Sequence, residues 1–314
     1  MSQALEPSLA RLPHPLMRYF VATRPAFLSV TFVGVLLGLA SASLGDIRLD
    51  PIQATVTLLF ALLAHAGANV INDYYDAKSG CDAANDERVF PFTGGSRVIQ
   101  NGVLSLQDAG KFGYTLLALV VPAGLWLTAT SGSGLMAIGL AGLLTGWAYS
   151  APPAKLQARG LGEFGITAAW LLIVIGSDFV QRHNFSFAPV AAGLGFALLV
   201  ANVLYINQFP DVKADAMAGK HTLVVRLGTQ RARWGYTLIA VLCYGWVLAM
   251  VMLAQLPPAA LIALLPAIAS FKAALNLAHH AATPDALLPG IKLTILAATL
   301  HGLLLVAALV LTKA

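Results

Sequence analysis

The chain has 314 residues, 58% of them hydrophobic and only 11% charged, with a mean hydropathy of +0.76. Soluble domains carry about 25% charged residues, so the composition excludes a water-soluble globular protein and points to an all-α, polytopic membrane protein. The net charge of +5 does not argue for nucleic acid, because the basic residues gather along one membrane face, where they suit anionic lipid and anionic substrates.

The first 24 residues contain Arg11, Arg18 and Arg24 and lack a small-residue cleavage site after a short apolar core. They read as a cytoplasmic arm rather than a cleaved signal. Apolar runs near the ~20 residues needed to cross a bilayer follow at 25–44, 52–71, 112–129, 133–149, 164–180, 188–207, 234–254, 258–277 and 291–311. The expectation is one domain over 1–314, a bundle of about nine transmembrane helices with polar cap loops.

Alternate connections are short: 43–50, 130–133, 181–186 and 255–258. Two others, 72–111 and 207–234, are long and polar, and connections of that length usually carry function. With the N-terminus inside, only Arg48, Arg182 and Lys313 among the 19 Lys and Arg fall outside. That asymmetry predicts an N-in, C-out topology with the working surface in the cytoplasm. Cys81 and Cys243 suggest neither a disulfide nor a metal framework.

Both long connections open with Asn, three residues, Asp: Asn72 to Asp76 and Asn207 to Asp211, with Asp73, Asp82 and Asp215 beside them. On a helix these offsets project side chains to one face, and Gly80 lets the chain bend before Asp82. Small clusters of oxygen ligands without a matching His/Cys set favour Mg²⁺ over zinc. Two facing half-sites would suit a diphosphate, whose charge Arg24, Lys78, Arg97, Lys155, Lys213, Lys220 and Arg226 are placed to offset. A single Asp-x-x-x-Asp pair is commonly an interfacial pair or cap, but two such patterns leading long loops on one face read as a site.

Asn72-Asp73-Tyr74-Tyr75-Asp76 through Gly80-Cys81-Asp82, with Asp211, Asp215 and Gly219-Lys220-His221-Thr222-Leu223-Val224-Val225-Arg226-Leu227-Gly228, resembles the UbiA-type superfamily of intramembrane prenyltransferases. The first motif looks most like the 1,4-dihydroxy-2-naphthoate polyprenyltransferases of menaquinone synthesis; ubiquinone-branch relatives tend to carry an Asp where this chain has Gly80. Tyr149-Ser150-Ala151-Pro152-Pro153 through Lys155 to Gly160-Leu161-Gly162-Glu163 is similar to the stretch those enzymes carry between the fourth and fifth spans. Two positions depart from the pattern: Ala216 stands where an Arg is common, and Asp178 where an aromatic residue is frequent.

The resemblance implies a bacterial inner-membrane enzyme that moves a polyprenyl group from its diphosphate to an aromatic quinone precursor, either dihydroxynaphthoate or an acceptor such as 4-hydroxybenzoate or homogentisate. Mg²⁺ on Asp73, Asp76, Asp82, Asp211 and Asp215 would draw charge from the diphosphate, leaving an allylic cation for the ring to attack. Asn72 and Asn207 would help hold the diphosphate, and the Tyr149 ring would face the cation. Water must be kept out, and segment 82–104, with Gly94-Gly95 as hinge, is the expected lid. Glu163 is expected to orient Lys155 or Arg159, or to serve its helix N-terminus. His65 and Asn69 share the stripe of Asp73 and Asp76, either lining the pocket or bonding between helices. A lipid phosphotransferase lacks its Asp-Gly…Ala-Arg series here, and a transporter would place its acids near the bilayer midplane.

Overall fold

The computed structural model describes residues 5–45 and 47–312, all helix, turn and loop. Lys313, one of the three basic residues expected outside, lies outside the described residues, as do the first four of the arm. The helices are α1 (Pro15–Ala22), α2 (Leu28–Ser43), α3 (Pro51–Ser79), α4 (Leu106–Ser131), α5 (Gly134–Ser150), α6 (Gly162–Arg182), α7 (Ala188–Met217), α8 (Leu223–Leu227), α9 (Thr229–Met252), α10 (Ala267–His280) and α11 (Leu288–Leu311). With the 3₁₀ turns that lead into three of them, eight are long and apolar enough to cross a membrane; α5, with 17 residues, is a ninth, shorter apolar helix. The chain is an integral membrane protein.

The apolar runs end at residues 71 and 207, and the helices run on past them: α3 continues to Ser79 and α7 to Met217, so the Asn-to-Asp patterns lie on helical extensions of the spans, as their spacing implies, and the segments expected as loops begin later than 72 and 207. Local chemistry sets these ends. Asp50 caps the start of α3, accepting from the N–H groups of Ile52 and Gln53 at 2.8 and 3.0 Å. Gly80, at φ 78°, stops it in the left-handed conformation. Past α7, Lys220 N–H donates to Asp215 O (2.8 Å) and Gly219 N–H to Ala216 O (3.1 Å) with Gly219 at φ 70°. This paired closure reverses the chain and aims Lys220 back at its own helix.

α7 is the mast of the bundle, packed by α6, α9 and α11. In its most apolar stretch 78% of residues are buried, against 22% in α3, which fits a helix apolar on all sides. Small residues bring the helices close: a β-carbon at Gly38 would lie 2.4 Å from Val174 O. At the end opposite the aspartates, Asp178 is 1% exposed and bonds Arg182 Nε (2.7 Å) and the Ser41 hydroxyl (2.8 Å), while Arg182 donates to Ser41 O. The departure at Asp178 is thus a clamp between α2 and α6, remote from the acidic patterns.

Candidate active site

The C-terminal ends of α3 and α7 meet at the end of the bundle that carries the arm, where they wall a polar cleft. Asp76, Asp82, Asp211, Asp215, Asn72, Asn207 and Lys220 all line it. Carboxylates in a last helical turn face the negative end of the helix dipole, so Asp76 and Asp215 need compensation. Lys220 supplies it: its ammonium lies 2.8 Å from Asp76 Oδ1 and 3.5 Å from Asp215 Oδ1. Burial disfavours the Lys220 charge, but the two carboxylates overcome this and raise its pKa well above the usual range.

Around this link the first half-site is held by amides. Asn72 Nδ2 donates to Asp76 Oδ2 (3.1 Å) and to the Ser150 hydroxyl (3.1 Å), and Gln157 Nε2 donates to Asp76 Oδ1 (3.2 Å). Asp73 accepts the Ser96 N–H at 3.0 Å, and its Oδ1 lies 3.9 Å from Arg24 with no hydrogen-bond donor despite being buried. In the second half-site Asn85 Nδ2 donates to Asp211 Oδ1 at 2.6 Å, and the Cys81 thiol donates to Asp215 Oδ1 at 3.3 Å. Burial pushes the Cys81 thiol up, which keeps it protonated. The Asp82 carboxyl is raised to about 8, first by burial and then by the charges of Asp76 and Asp73.

Segment 82–104 crosses the cleft as a cover. A β-carbon on Gly95, whose φ is 72°, would lie 2.6 Å from Asp82 Oδ2 and 3.1 Å from Asp73 Oδ1, so only glycine lets the backbone pass so near both carboxylates. The arm straps this segment down: Glu6 pairs with Arg88 at 2.7 Å and Arg97 at 3.7 Å, and accepts from Asn101 at 3.0 Å. Arg88 reaches on to Asn85 O (2.5 Å) and Arg97 to Asp82 O.

Several expected cations lie elsewhere. Lys78 is exposed above the Tyr74 ring, Lys155 is exposed on its loop, Lys213 pairs with Glu87 at the surface, and Arg226 bonds His221 O and Arg159 O. Arg97 is buried within the cover itself, away from the cleft lining. Glu163 reaches neither Lys155 nor Arg159; it turns into the cleft and accepts from Gln208. Gln157, Asn85 and Glu6 carry no expectation from the sequence, because each lies far along the chain from the part of the site it touches.

A second, larger and mostly apolar cavity adjoins the polar cleft. Arg24, Asn72, Phe92, Tyr149, Leu204 and Asn207 line both. Gly139, Gly142 and Gly146 form one face of α5 on its wall, and added β-carbons at Gly139 and Gly142 would meet nothing within 4 Å. His65 and Asn69 both line this cavity and bond between segments, His65 Nδ1 to the Thr31 hydroxyl (2.8 Å) and Asn69 Nδ2 to Thr23 O (3.0 Å).

The donor set fits Mg²⁺. Its ligands are hard oxygens, and buried Asp73 Oδ1 and Asn207 Oδ1 have no hydrogen-bond partner. Among the described residues no group of three His, Cys, Asp or Glu stands close enough together to hold a metal ion by itself; Mg²⁺ commonly takes one or two carboxylates and completes its shell with phosphate oxygens and water.

Comparison with known proteins agrees with this geometry. Over 218 residues the chain is 30% identical to an Escherichia coli 1,4-dihydroxy-2-naphthoate octaprenyltransferase, covering 67% of this chain and 68% of that one. It is 26% identical to the Bacillus subtilis protein of the same name over 241 residues, 75% of this chain and 74% of the other. In fold it is similar to a digeranylgeranylglyceryl phosphate synthase (TM-score 0.64, 19% identity, 94% of this chain and 99% of that chain) and to an Archaeoglobus fulgidus UbiA homologue bound to DMAPP and Mg²⁺ (TM-score 0.60, 19% identity, 92% and 99%). The sequence matches the UbiA prenyltransferase family over residues 28–296, and the chain belongs to that family.

Proposed function

We infer that the protein transfers a polyprenyl group from polyprenyl diphosphate to an aromatic quinone precursor, 1,4-dihydroxy-2-naphthoate, with release of diphosphate, at the cytoplasmic face of a bacterial inner membrane. The observation that carries this reading is the union of two acidic half-sites, through Lys220, in a polar cleft that opens into a large apolar cavity. An amphiphile with an anionic head and a long apolar tail matches that pair of volumes. The relatives named for dihydroxynaphthoate support the acceptor.

Asp73, Asp76, Asp211 and Asp215, with Asp82 beside them, would hold Mg²⁺, which when bound neutralises diphosphate charge and makes it a better leaving group. Lys220 and Arg24 add positive charge where the diphosphate departs. Tyr149, at the junction of the two cavities, offers its ring face to the developing allylic cation. The cover over the cleft and the apolar walls keep water from that cation.

The test incubates membranes containing the protein with labelled polyprenyl diphosphate and a panel of dihydroxynaphthoate, 4-hydroxybenzoate and homogentisate, with products identified by mass. Prenylated naphthoquinol is expected, abolished by EDTA and by Asp76→Ala or Asp211→Ala in folded protein. Transfer to 4-hydroxybenzoate alone would overturn the acceptor, and undiminished turnover of either variant would overturn the metal assignment.

A further inference from the structure

Among the described carboxylates that line the cleft, Glu163 alone belongs to neither acidic half-site. Asp76 and Asp215 share Lys220, whereas Glu163, like Asp82 and Asp211, has no Lys or Arg side chain of the described residues within ion-pair distance. Its place in the first turn of α6 stabilises the ionised form through the helix dipole. Its orientation is fixed from the far side. Gln208, 7% exposed, donates its amide to Glu163 Oε1 while its own oxygen accepts the Val224 N–H. This clasp leaves the remainder of the carboxylate to the cleft.

The start of α6 also abuts the junction of the two cavities. A β-carbon at Gly162 would lie 3.3 Å from Leu204 Cδ2 and 3.9 Å from Tyr149 Cε2, two residues that line both volumes. An acceptor ring must approach the donor's first carbon at that junction, since the diphosphate occupies the polar side and the tail the apolar side. A half-buried carboxylate at such a place, held by an amide and without a counter-ion, is placed for proton exchange rather than for charge pairing.

We propose that Glu163 is the catalytic base of the transfer, taking the phenolic proton of the acceptor as its ring is alkylated. This rests on the aromatic-acceptor reading above. The ring carbon ortho to the hydroxyl bonds to the donor's first carbon, the C–O bond to diphosphate breaks with its electron pair on the diphosphate, and the hydroxyl proton passes to Glu163, leaving a ring ketone. Where that carbon carries a carboxylate, CO₂ leaves, the C–C electron pair restores the aromatic ring, and the ketone oxygen recovers the proton from Glu163. Protons and electrons balance with no further reagent. Tyr149, Asp76, Asp215 and Lys220 are the ionisable groups of the same part of the cleft; Asp76 and Asp215 are engaged by Lys220, and Tyr149 is assigned to the cation.

Glu163→Gln preserves shape and an amide partner for Gln208, so it separates the base from the clasp. Expected is a fall in kcat of about 100-fold, with binding of a slowly reacting prenyl thiolodiphosphate unchanged within about twofold. Glu163→Asp should recover about tenfold over Glu163→Gln. A ring-fluorinated acceptor, ionised before it binds, should erase most of the deficit, which a merely structural role would not allow. Wild-type kcat in Glu163→Gln, or donor binding that falls as far as kcat, would overturn the assignment. A wild-type protein that prenylates no aromatic acceptor would overturn the function reading and this inference together.

Discussion

Asp76 Oδ1 and the Lys220 ammonium lie 2.8 Å apart, and each side chain is about one-tenth exposed. The pair joins the end of α3 to the turn that follows α7, so one ion pair registers the two acidic helices against each other. Breaking a buried pair from one side leaves an uncompensated charge, which costs about 3–5 kcal/mol. Lys220→Met should therefore lower unfolding stability in Mg²⁺-free detergent by about 3 kcal/mol and cut prenyl transfer at least about 100-fold. Transfer above half the wild-type rate would remove Lys220 from the site.

The strap at Glu6 makes a separate prediction. Burial alone would raise the Glu6 carboxyl, but hydrogen bonds from Asn101 and Arg88 and the charges of Arg88 and Arg97 hold it below its ordinary 4.5. A depressed folded pKa means that the stabilisation is present above that ordinary value and is lost as pH falls through the folded one. Protection of segment 82–104 against hydrogen exchange, corrected for the pH dependence of the intrinsic rate, should be high at about pH 6 and fall once the pH drops below the depressed Glu6 value. Glu6→Gln at the higher pH should reproduce the acid behaviour; equal protection in both proteins would show that the arm does not hold the cover.

The glycine face of α5 predicts donor selectivity. Gly142→Phe places a ring in the space that an added β-carbon finds empty. Transfer from octaprenyl diphosphate should fall about tenfold or more, the scale of steric discrimination in an apolar pocket, while geranyl diphosphate is used at close to the wild-type rate. An equal loss with both donors would mean that the tail runs elsewhere.

Orientation is tested with thiols, since both native cysteines are buried. Ala83→Cys, exposed beside the cleft, should react with an impermeant maleimide only in inverted vesicles, and Asn184→Cys, exposed at the opposite end, only in right-side-out cells. The reverse pattern would invert the proposed topology.

The helical bundle was legible because apolar runs of membrane length are a strong and local signal. So was the pairing of Asp73 and Asp76 with Asp211 and Asp215 at one end, since repeated spacing survives without knowledge of packing. The cation that joins the half-sites was one of several candidates, and the Gly219 turn that aims Lys220 backward, rather than proximity in sequence, selects it over Lys78 and Lys155. Basic residues beside an acidic motif are drawn to water and lipid headgroups as readily as to the site, which is where Lys78, Lys155 and Lys213 lie. Glu6, Asn85 and Gln157 act across the fold from chain-distant positions, and no periodicity marks such residues.

The burial of α7 makes the two sides of the cleft unequal. Asp211 and Asp215 ride on a helix enclosed by its neighbours, so their half of the site is fixed to the bundle's most stable unit. The facing wall is backbone held by a partly exposed carboxylate and a few side-chain contacts. The two sides of the cleft are therefore secured by different means, one by burial within the bundle and the other by the Glu6 strap from the arm.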